Sequence, residues 1–255
     1  MSDNDLAVRL SEVARALQRR GTAQETLDGI VHAAVRTIPG ARHAGVMSVV
    51  GKREVDTISA TDDLPHKVDQ VQFETGQGPC LTALYQDRTV SVPDLAADTR
   101  WPRFTARARS LDVGSMLSFQ LFVEGDDLGA LNLYAPEPHS FDEESLHVGL
   151  LFASHAAVAL AEAQQRDRLV QAAHTRDLIG QAKGILMERY KINADQAFSV
   201  LVRVSQQSNR KLRDLAEELA TTGNLPAGGN GGRRVAAGGQ SGYRQVTPDV
   251  AGHQR

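Results

Sequence analysis

The stretch RDLIGQAKGILMERYKINADQAFSVLVRVSQQSNRKLRDLAEEL, from Arg176 to Leu219, predicts three short amphipathic helices in sequence. Each segment repeats apolar residues at helical spacing. The first predicted core stripe contains Leu178, Ile179, Ala182, Ile185, Leu186 and Tyr190, the second Ala197, Phe198, Leu201 and Val204, and the third Leu212, Leu215, Ala216 and Leu219. Asn193 is predicted to cap the second helix together with Gln196. Three helices of this kind predict a small bundle.

A second face of the first helix carries Arg176, Gly180, Lys183, Gly184 and Met187. An exposed glycine destabilises a helix by about 1 kcal/mol relative to alanine, so two of them one turn apart indicate close approach by another helix or by a nucleic-acid backbone. A solvated face with two tolerated glycines is the competing interpretation.

The start of the third helix is strongly basic. Asn209 is predicted to cap it, followed by Arg210, Lys211 and Arg213. Cations are unfavourable at the positive end of a helix dipole, although pairs of Arg210 with Asp214 and of Arg213 with Glu217 would offset part of this. Because free backbone N–H groups and cations together bind phosphate, this pattern favours an anion site over a solvated charged face.

At these residues the sequence resembles the ANTAR family of RNA-binding transcription antitermination regulators. The runs IGQAKGILM (Ile179–Met187), ADQAF (Ala194–Phe198) and NRKLRDLAEEL (Asn209–Leu219), with Ser205 between them, carry the resemblance. It implies a three-helix module that works as a dimer and binds paired stem-loops in a leader transcript. The RNA-facing residues that it implies are Lys183, Gly184, Arg189, Ser205, Asn209, Arg210 and Lys211.

Composition agrees with this division of the chain. Residues 1–175 hold 16 Lys/Arg against 24 Asp/Glu, whereas residues 176–255 hold 12 against 7, so the basic part contains the predicted anion site. The single cysteine excludes an intramolecular disulfide and a cysteine-cluster metal site, and it suits a reducing cytosol. The sequence shows no apolar run of the roughly 20 residues needed for a membrane span, so we expect a cytoplasmic protein without a membrane partner.

Upstream of Asp142 the pattern mixes helices and strands. Leu6, Leu10, Val13 and Leu17 mark one helix, and a second runs from Leu27 to Val35. Strands are predicted over residues 44–50, 55–60, 89–92, 115–123 and 128–134, the last two joined by a hairpin turn at Glu124–Asp127. The fold class is therefore α+β, with helices on a largely antiparallel sheet.

The segment from Phe73 to Phe104, with its GQGPC turn, and the later LGALNLY and FDEE runs resemble a GAF domain. This resemblance implies a sensor domain that binds a small molecule or dimerises; the ligand is unknown, and no metal or catalytic residue is identified. Cys80, Phe73 and Trp101 form the candidate sensor pocket. Cys80 stands at the second position of a helix, where the dipole can lower a thiol pKa, unless it is simply a small buried residue. Trp101 either covers a pocket or belongs to the core.

A seam with 4,3,4,3 spacing follows: Leu146, Leu150, Ala153, Ala157 and Leu160. It packs on its own sheet or pairs with a second chain; we slightly favour a parallel homodimer. The expected domains are residues 1–162 (GAF sensor), 163–174 (helical linker), 175–222 (ANTAR) and 223–255 (a disordered Gly-rich tail).

These features together predict a signal-responsive, non-enzymatic RNA-binding antiterminator. The alternatives are a helix-turn-helix-like DNA-binding regulator and a redox or ligand-binding GAF protein whose C-terminal helices only dimerise.

Overall fold

The structure is a computed structural model that describes residues 11–12, 15–17, 21–50, 54–85, 87–123 and 126–225. The chain divides into two compact units between Ala173 and His174. Leu6, Leu10 and Val13 of the first predicted helix, Glu124 and Gly125 of the predicted hairpin turn, and the predicted tail from residue 226 onward lie outside the described residues. Leu17 is helical and buried.

The N-terminal unit is built on a five-stranded antiparallel sheet of order β2-β1-β5-β4-β3. The strands are β1 (His43–Val50), β2 (Glu54–Ala60), β3 (Thr89–Val92), β4 (Ser115–Val123) and β5 (Asp126–Ala135). Each agrees with its predicted strand to within two residues at either end, since alternating β-branched residues and bounding turns define these strands locally. The predicted α+β class is confirmed.

Helices cover both faces of the sheet. One face packs against α1 (Ala23–Thr37) and the first part of α5 (Glu143–Tyr190). The other packs against α2 (Asp63–Thr75), α3 (Pro79–Tyr85) and α4 (Pro102–Ala108). Thr22 and Glu25 form a capping box at the start of α1, and Gly76 ends α2 in a left-handed conformation with φ 63°.

Helix α5 shows that part of the predicted seam packs on its own sheet. Ala153, Ala157 and Leu160 are buried in the sheet core, but Leu146 and Leu150 are 36% and 50% exposed. The face that enters the core is broader than the predicted seam and also includes Val148, Phe152, Ala156 and Ala159. The 4,3,4,3 pattern therefore includes one edge of the core face together with two exposed leucines near the start of the helix.

Helix α5 is also long and apolar enough, by length and composition, to cross a membrane, contrary to the expectation from the sequence. Half of that apolar stretch is buried, and its buried side chains lie in the core of the N-terminal unit. We therefore attribute its apolar composition to core packing.

The C-terminal unit contains the end of α5, α6 (Ala194–Ser208) and α7 (Leu212–Thr222). A small core joins them through Ala182, Leu186, Ala197, Leu201, Ala216 and Leu219. The predicted capping box of Asn193 and Gln196 is present. Two predicted core residues are instead exposed, Tyr190 by 56% and Phe198 by 40%, because a three-helix core of this size buries only a narrow stripe of each helix.

Candidate functional site

The turn between α6 and α7 presents the basic residues of the C-terminal unit. Asn209 does not cap α7 as predicted; it ends α6 in a left-handed conformation with φ 51°. Lys211 is the N-cap of α7, and its side chain makes no capping hydrogen bond. The sequence suggested Asn209 because asparagine is common at both kinds of helix end. The first turn of α7 therefore begins without a side-chain cap.

The ion pairs at this turn also differ from the predicted ones. Arg210 pairs with Glu218 at 2.7 Å, and Arg213 pairs with its neighbour Asp214 at 3.1 Å. Lys211 is exposed and makes no ion pair with any residue that the structure describes. Lys211 is thus the cation of the turn that stays available to an external anion.

Ser205 stabilises the same turn through hydrogen bonds to its backbone. Its hydroxyl donates to the carbonyl oxygen of Arg210 at 2.5 Å, and its own carbonyl accepts from the N–H groups of Asn209 and Arg210. The side chain is only partly exposed. Ser205 therefore contacts the backbone that carries the cations.

Arg189 lies elsewhere. Its guanidinium donates to the carbonyl oxygen of Gly223, the residue that ends α7, at 2.5 Å. The 11 residues of α7 extend over about 16 Å, so Arg189 and Lys211 lie at opposite ends of that helix. A cation near a helix C-terminus is electrostatically favourable, which gives Arg189 a structural role.

The glycine-containing face of α5 is open within the described chain. Gly180 and Gly184 are exposed, and a Cβ added at either would have no atom within 4 Å. Lys183 between them is partly exposed. Gly184 and Arg189 both line a shallow depression of about 710 Å³ along this helix. No packing among the described residues explains these glycines.

A buried polar cluster lies under the sheet of the N-terminal unit. Asp69 on α2 accepts hydrogen bonds from Thr57 at 2.5 Å, from Gln72 at 3.0 Å and from Tyr134 at 3.1 Å. Gln72 also donates to the Cys80 sulfur at 2.8 Å and accepts from the Cys80 N–H. Gln72 thus hydrogen-bonds to the Asp69 carboxylate and to both the sulfur and the backbone N–H of Cys80. It therefore links α2 to the start of α3.

The cluster shifts the ionisation of its members. Burial raises the pKa of Asp69 to about 6, although hydrogen bonds, that from Thr57 first among them, act to lower it. Burial, and then the nearby Asp69 carboxylate, raise the pKa of the Cys80 thiol well above its usual range. The pKa of Tyr134 is raised for the same two reasons. Of the two interpretations of Cys80, the structure supports the small buried residue, because the thiol is fully enclosed and desolvation raises its pKa.

Asn132 stands beside this cluster in the middle of β5, opposite Ser118. Both residues are fully buried, and neither polar atom of the Asn132 side chain has a hydrogen-bond partner among the described residues. The Ser118 hydroxyl faces the Cys80 sulfur at 3.8 Å. Asn132 is thus the unsatisfied member of an otherwise hydrogen-bonded polar region.

A separate cavity of about 390 Å³ opens at the GQGPC turn. It is lined by Gly76, Gln77, Gly78, Leu81, Thr82, Arg100 and Trp101. The Trp101 indole donates to Thr82 at 3.2 Å, and the Arg100 guanidinium lies 4.3 Å from the Trp101 ring centroid. Asp98 holds that guanidinium in place.

Family models match two parts of the chain. A GAF domain model matches residues 21–161, which is more than half of the chain. The chain belongs to the GAF family. An ANTAR domain model matches residues 167–219, so the GAF domain is combined with an ANTAR domain. GAF and ANTAR domains are regulatory, and the protein is a signal-responsive regulator. No curated protein matches the chain.

Solved structures agree with the GAF fold. The GAF domain of a phosphoenolpyruvate-protein phosphotransferase from Coxiella burnetii is 17% identical, with a TM-score of 0.52 over 66% of this chain and 99% of that one. Its counterpart from Acinetobacter is 12% identical, with a TM-score of 0.51 over 65% and 97%. The bacteriophytochrome RpBphP3 from R. palustris is 10% identical, with a TM-score of 0.55 over 82% of this chain and 47% of that one. At these identities the likeness concerns the fold alone.

In the ANTAR domain, the structure brings together four of the seven residues implied by resemblance: Ser205, Asn209, Arg210 and Lys211 at one turn. Lys183 and Gly184 lie along α5, and Arg189 lies at the far end of α7. The sequence predicts the position of this turn correctly. It does not predict the hydrogen bonds within the turn, because the Ser205–Arg210 contact depends on the left-handed conformation of Asn209.

In the GAF domain, the three candidate pocket residues do not share a pocket. Only Trp101 lines the cavity, whereas Cys80 is sealed in the polar cluster and Phe73 is 36% exposed. Trp101 also belongs to the core, so both interpretations of it hold. Of the polar cluster, the sequence pattern identifies only Cys80 as a candidate. The missed signal was a set of polar residues on otherwise apolar faces, namely Asp69, Gln72, Asn132 and Tyr134.

Proposed function

We propose that this protein is a transcription antitermination regulator that binds paired stem-loops in leader RNA under control of its GAF domain. The observation that carries the proposal is an ANTAR domain in which basic residues meet at one helix–helix turn, where Lys211 makes no ion pair with any described residue and α7 begins without a side-chain cap. The protein makes and breaks no covalent bond in this role, and it acts in the cytoplasm, where nascent transcripts are found.

The RNA-binding surface consists of Lys183 and Gly184 on α5 and of Asn209, Arg210 and Lys211 at the α6–α7 turn. Residues 176–225 contain eight Lys/Arg and six Asp/Glu, so their net charge is small. Affinity therefore depends on local clustering of cations and on the uncapped start of α7, where backbone N–H groups and the helix dipole favour phosphate. Bases in an RNA loop are accessible to side chains, unlike those within an A-form helix, which favours a stem-loop target.

We propose that each ANTAR domain binds one stem-loop and that a homodimer forms along α5. Leu151, Val158 and Leu169 are 48%, 46% and 61% exposed on the side of α5 opposite its core stripe. Leu151 and Val158 are one heptad apart, as in a coiled-coil seam. This seam replaces the one predicted from Leu146 to Leu160.

The GAF domain supplies the signal in this proposal. The cavity beside Trp101 falls within the size range of small-molecule sites, and the Arg100 guanidinium, paired with Asp98, forms part of its wall. A ligand bound there would act on ANTAR only by favouring one arrangement of the dimer over another. The nature of the ligand does not follow from the fold.

The proposal is tested by comparing affinity for a two-stem-loop RNA with affinity for duplex DNA of equal length over a range of salt concentrations. We expect tighter binding to the RNA. Lys183→Ala and the double variant Arg210→Ala/Lys211→Ala should each weaken RNA binding. Each should also reduce the salt slope by about one for every phosphate that the variant no longer neutralises.

Arg203→Ala is the matched control, because Arg203 is an exposed cation on the opposite side of α6 from Ser205. It should leave RNA affinity unchanged. Equal or tighter binding to duplex DNA, or equal weakening by the Arg203 and Arg210/Lys211 variants, would contradict the proposal.

A further inference from the structure

The α6–α7 turn is closed mainly by one residue. The Ser205 carbonyl oxygen accepts hydrogen bonds from the N–H groups of Asn209 and Arg210, the second at 3.2 Å. The Ser205 hydroxyl donates to the Arg210 carbonyl oxygen at 2.5 Å. Side chain and main chain of Ser205 therefore bind both polar backbone groups of Arg210.

Few other contacts hold this segment. Asn209 is left-handed, and Lys211 follows with an extended backbone and no side-chain cap. Beyond Ser205, the turn is tied by the exposed Arg210–Glu218 pair and by the Lys211 carbonyl, which accepts from Asp214 and Leu215 at the start of α7. Surface ion pairs contribute little, so the hydroxyl of Ser205 is a substantial part of what orients Arg210 and Lys211.

The same hydrogen bond uses the donor of the Ser205 side chain. A serine hydroxyl has one hydrogen, and here that hydrogen is directed to the Arg210 carbonyl rather than outward. A phosphate or a base acceptor on RNA would have to displace it.

We propose that Ser205 is a positioning residue for RNA binding: it fixes the turn that presents Arg210 and Lys211 and makes no contact with RNA itself. This inference rests on the proposed function. It assigns Ser205 a different role from Lys211, although both belong to the same stretch of sequence.

The test measures stem-loop RNA affinity for Ser205→Ala and Ser205→Thr, each in the wild-type chain and in the Arg210→Ala/Lys211→Ala background. Ser205→Ala should weaken binding about fivefold, the size of one net hydrogen bond. Ser205→Thr keeps a hydroxyl and should bind as the wild type does. In the Arg210→Ala/Lys211→Ala background, Ser205→Ala should weaken binding no further. A full additional weakening in that background would mean that Ser205 contacts RNA directly and would overturn the inference.

Amide hydrogen exchange in the RNA-free protein gives a second readout. Ser205→Ala should speed exchange at Arg210, and Ser205→Thr should not. Ser199→Ala is the matched control, since the Ser199 hydroxyl donates to the Asp195 carbonyl oxygen within the same helix at 2.9 Å, away from the turn, and should affect neither exchange at Arg210 nor affinity.

The two proposals fail differently. If the wild type does not prefer RNA, or Arg210→Ala/Lys211→Ala binds as tightly as the wild type, the proposed function is wrong. If those measurements agree with it while Ser205→Ala changes neither affinity nor exchange at Arg210, only the positioning role is wrong.

Discussion

At the scale of single residues, the buried polar cluster shows how burial sets chemistry. Asp69 has its carboxylate enclosed by Thr57, Gln72 and Tyr134, each of which donates a hydrogen bond to it. Even so, desolvation dominates, because hydrogen bonds replace only part of the water that an ionised carboxylate loses. The folded protein therefore binds a proton at Asp69 more readily than the unfolded chain does.

This predicts a stability change with pH. The pKa of Asp69 rises from 3.8 to about 6 on folding, so its contribution to stability is complete below about pH 4 and disappears as pH rises through about 6. The decrease in the free energy of unfolding is on the order of 3 kcal/mol for about two pKa units. Chemical unfolding of the wild type and of Asp69→Asn at about pH 4.5 and about pH 7.5 checks it. The wild type should lose more stability than the variant between these pH values; equal decreases would contradict the assignment.

The Cys80 thiol provides a second residue-level prediction. It is fully buried and its pKa is raised, so little thiolate forms near neutral pH. Native protein at about pH 8 should react slowly with iodoacetamide, whereas protein in denaturant should react quickly and once per chain. Rapid modification of the native protein would restore the redox interpretation of this cysteine.

At the scale of elements, sequence pattern succeeded where structure is local. The strands from His43 to Ala135 and the Asn193–Gln196 capping box depend on residues a few positions apart, and both were predicted. The role predicted for Asn209 is wrong, because an asparagine can cap the start of one helix or the end of another. Which of these occurs depends on the bonds from Ser205 to Arg210, and no local propensity specifies them.

Substitution of the exposed glycines of α5 distinguishes their effect on helix stability from their role in RNA binding. Gly184→Ala should stabilise α5 by about 1 kcal/mol, since the added Cβ meets nothing within 4 Å in this chain. If RNA approaches the helix backbone at Gly184, the same change should weaken RNA binding. Gly180→Ala, one turn away on the same face, should give the same gain in stability, and its RNA affinity shows how far along α5 the contact extends. Thermal unfolding of both variants measures the gain in stability, and RNA titration measures the change in affinity. Unchanged RNA affinity in Gly184→Ala would show that the glycine serves another contact.

At the scale of the whole molecule, the sequence predicted a GAF domain, an ANTAR domain and a helical connection. Of the two alternatives for the predicted seam, packing on its own sheet holds for Ala153, Ala157 and Leu160. Heptad-like spacing identifies that a helix has an apolar face, not which surface that face meets. Only the position of the sheet showed that Phe152 and Ala156 point to the core and that Leu151 and Val158 do not.

The exposed side of α5 leads to the prediction on assembly. Leu151→Glu/Val158→Glu places acidic residues one heptad apart on the proposed seam, so paired helices would bring like charges together. Sedimentation should show a dimer for the wild type and a monomer for the variant, with helix content unchanged by circular dichroism. Gln171→Glu, on an exposed face away from the seam, should remain dimeric.

RNA binding then distinguishes a specific dimer from a monomer whose exposed apolar side chains associate nonspecifically. Two linked stem-loops bound by two linked ANTAR domains gain about 10² to 10⁴ in affinity over a single stem-loop, because the second contact becomes intramolecular. Leu151→Glu/Val158→Glu should forfeit most of this gain and keep its affinity for one stem-loop, since the α6–α7 turn is untouched. A variant that becomes monomeric yet still binds the two-stem-loop RNA as tightly as the wild type would show that one ANTAR domain suffices, and that α5 pairing does not set the spacing of the RNA sites.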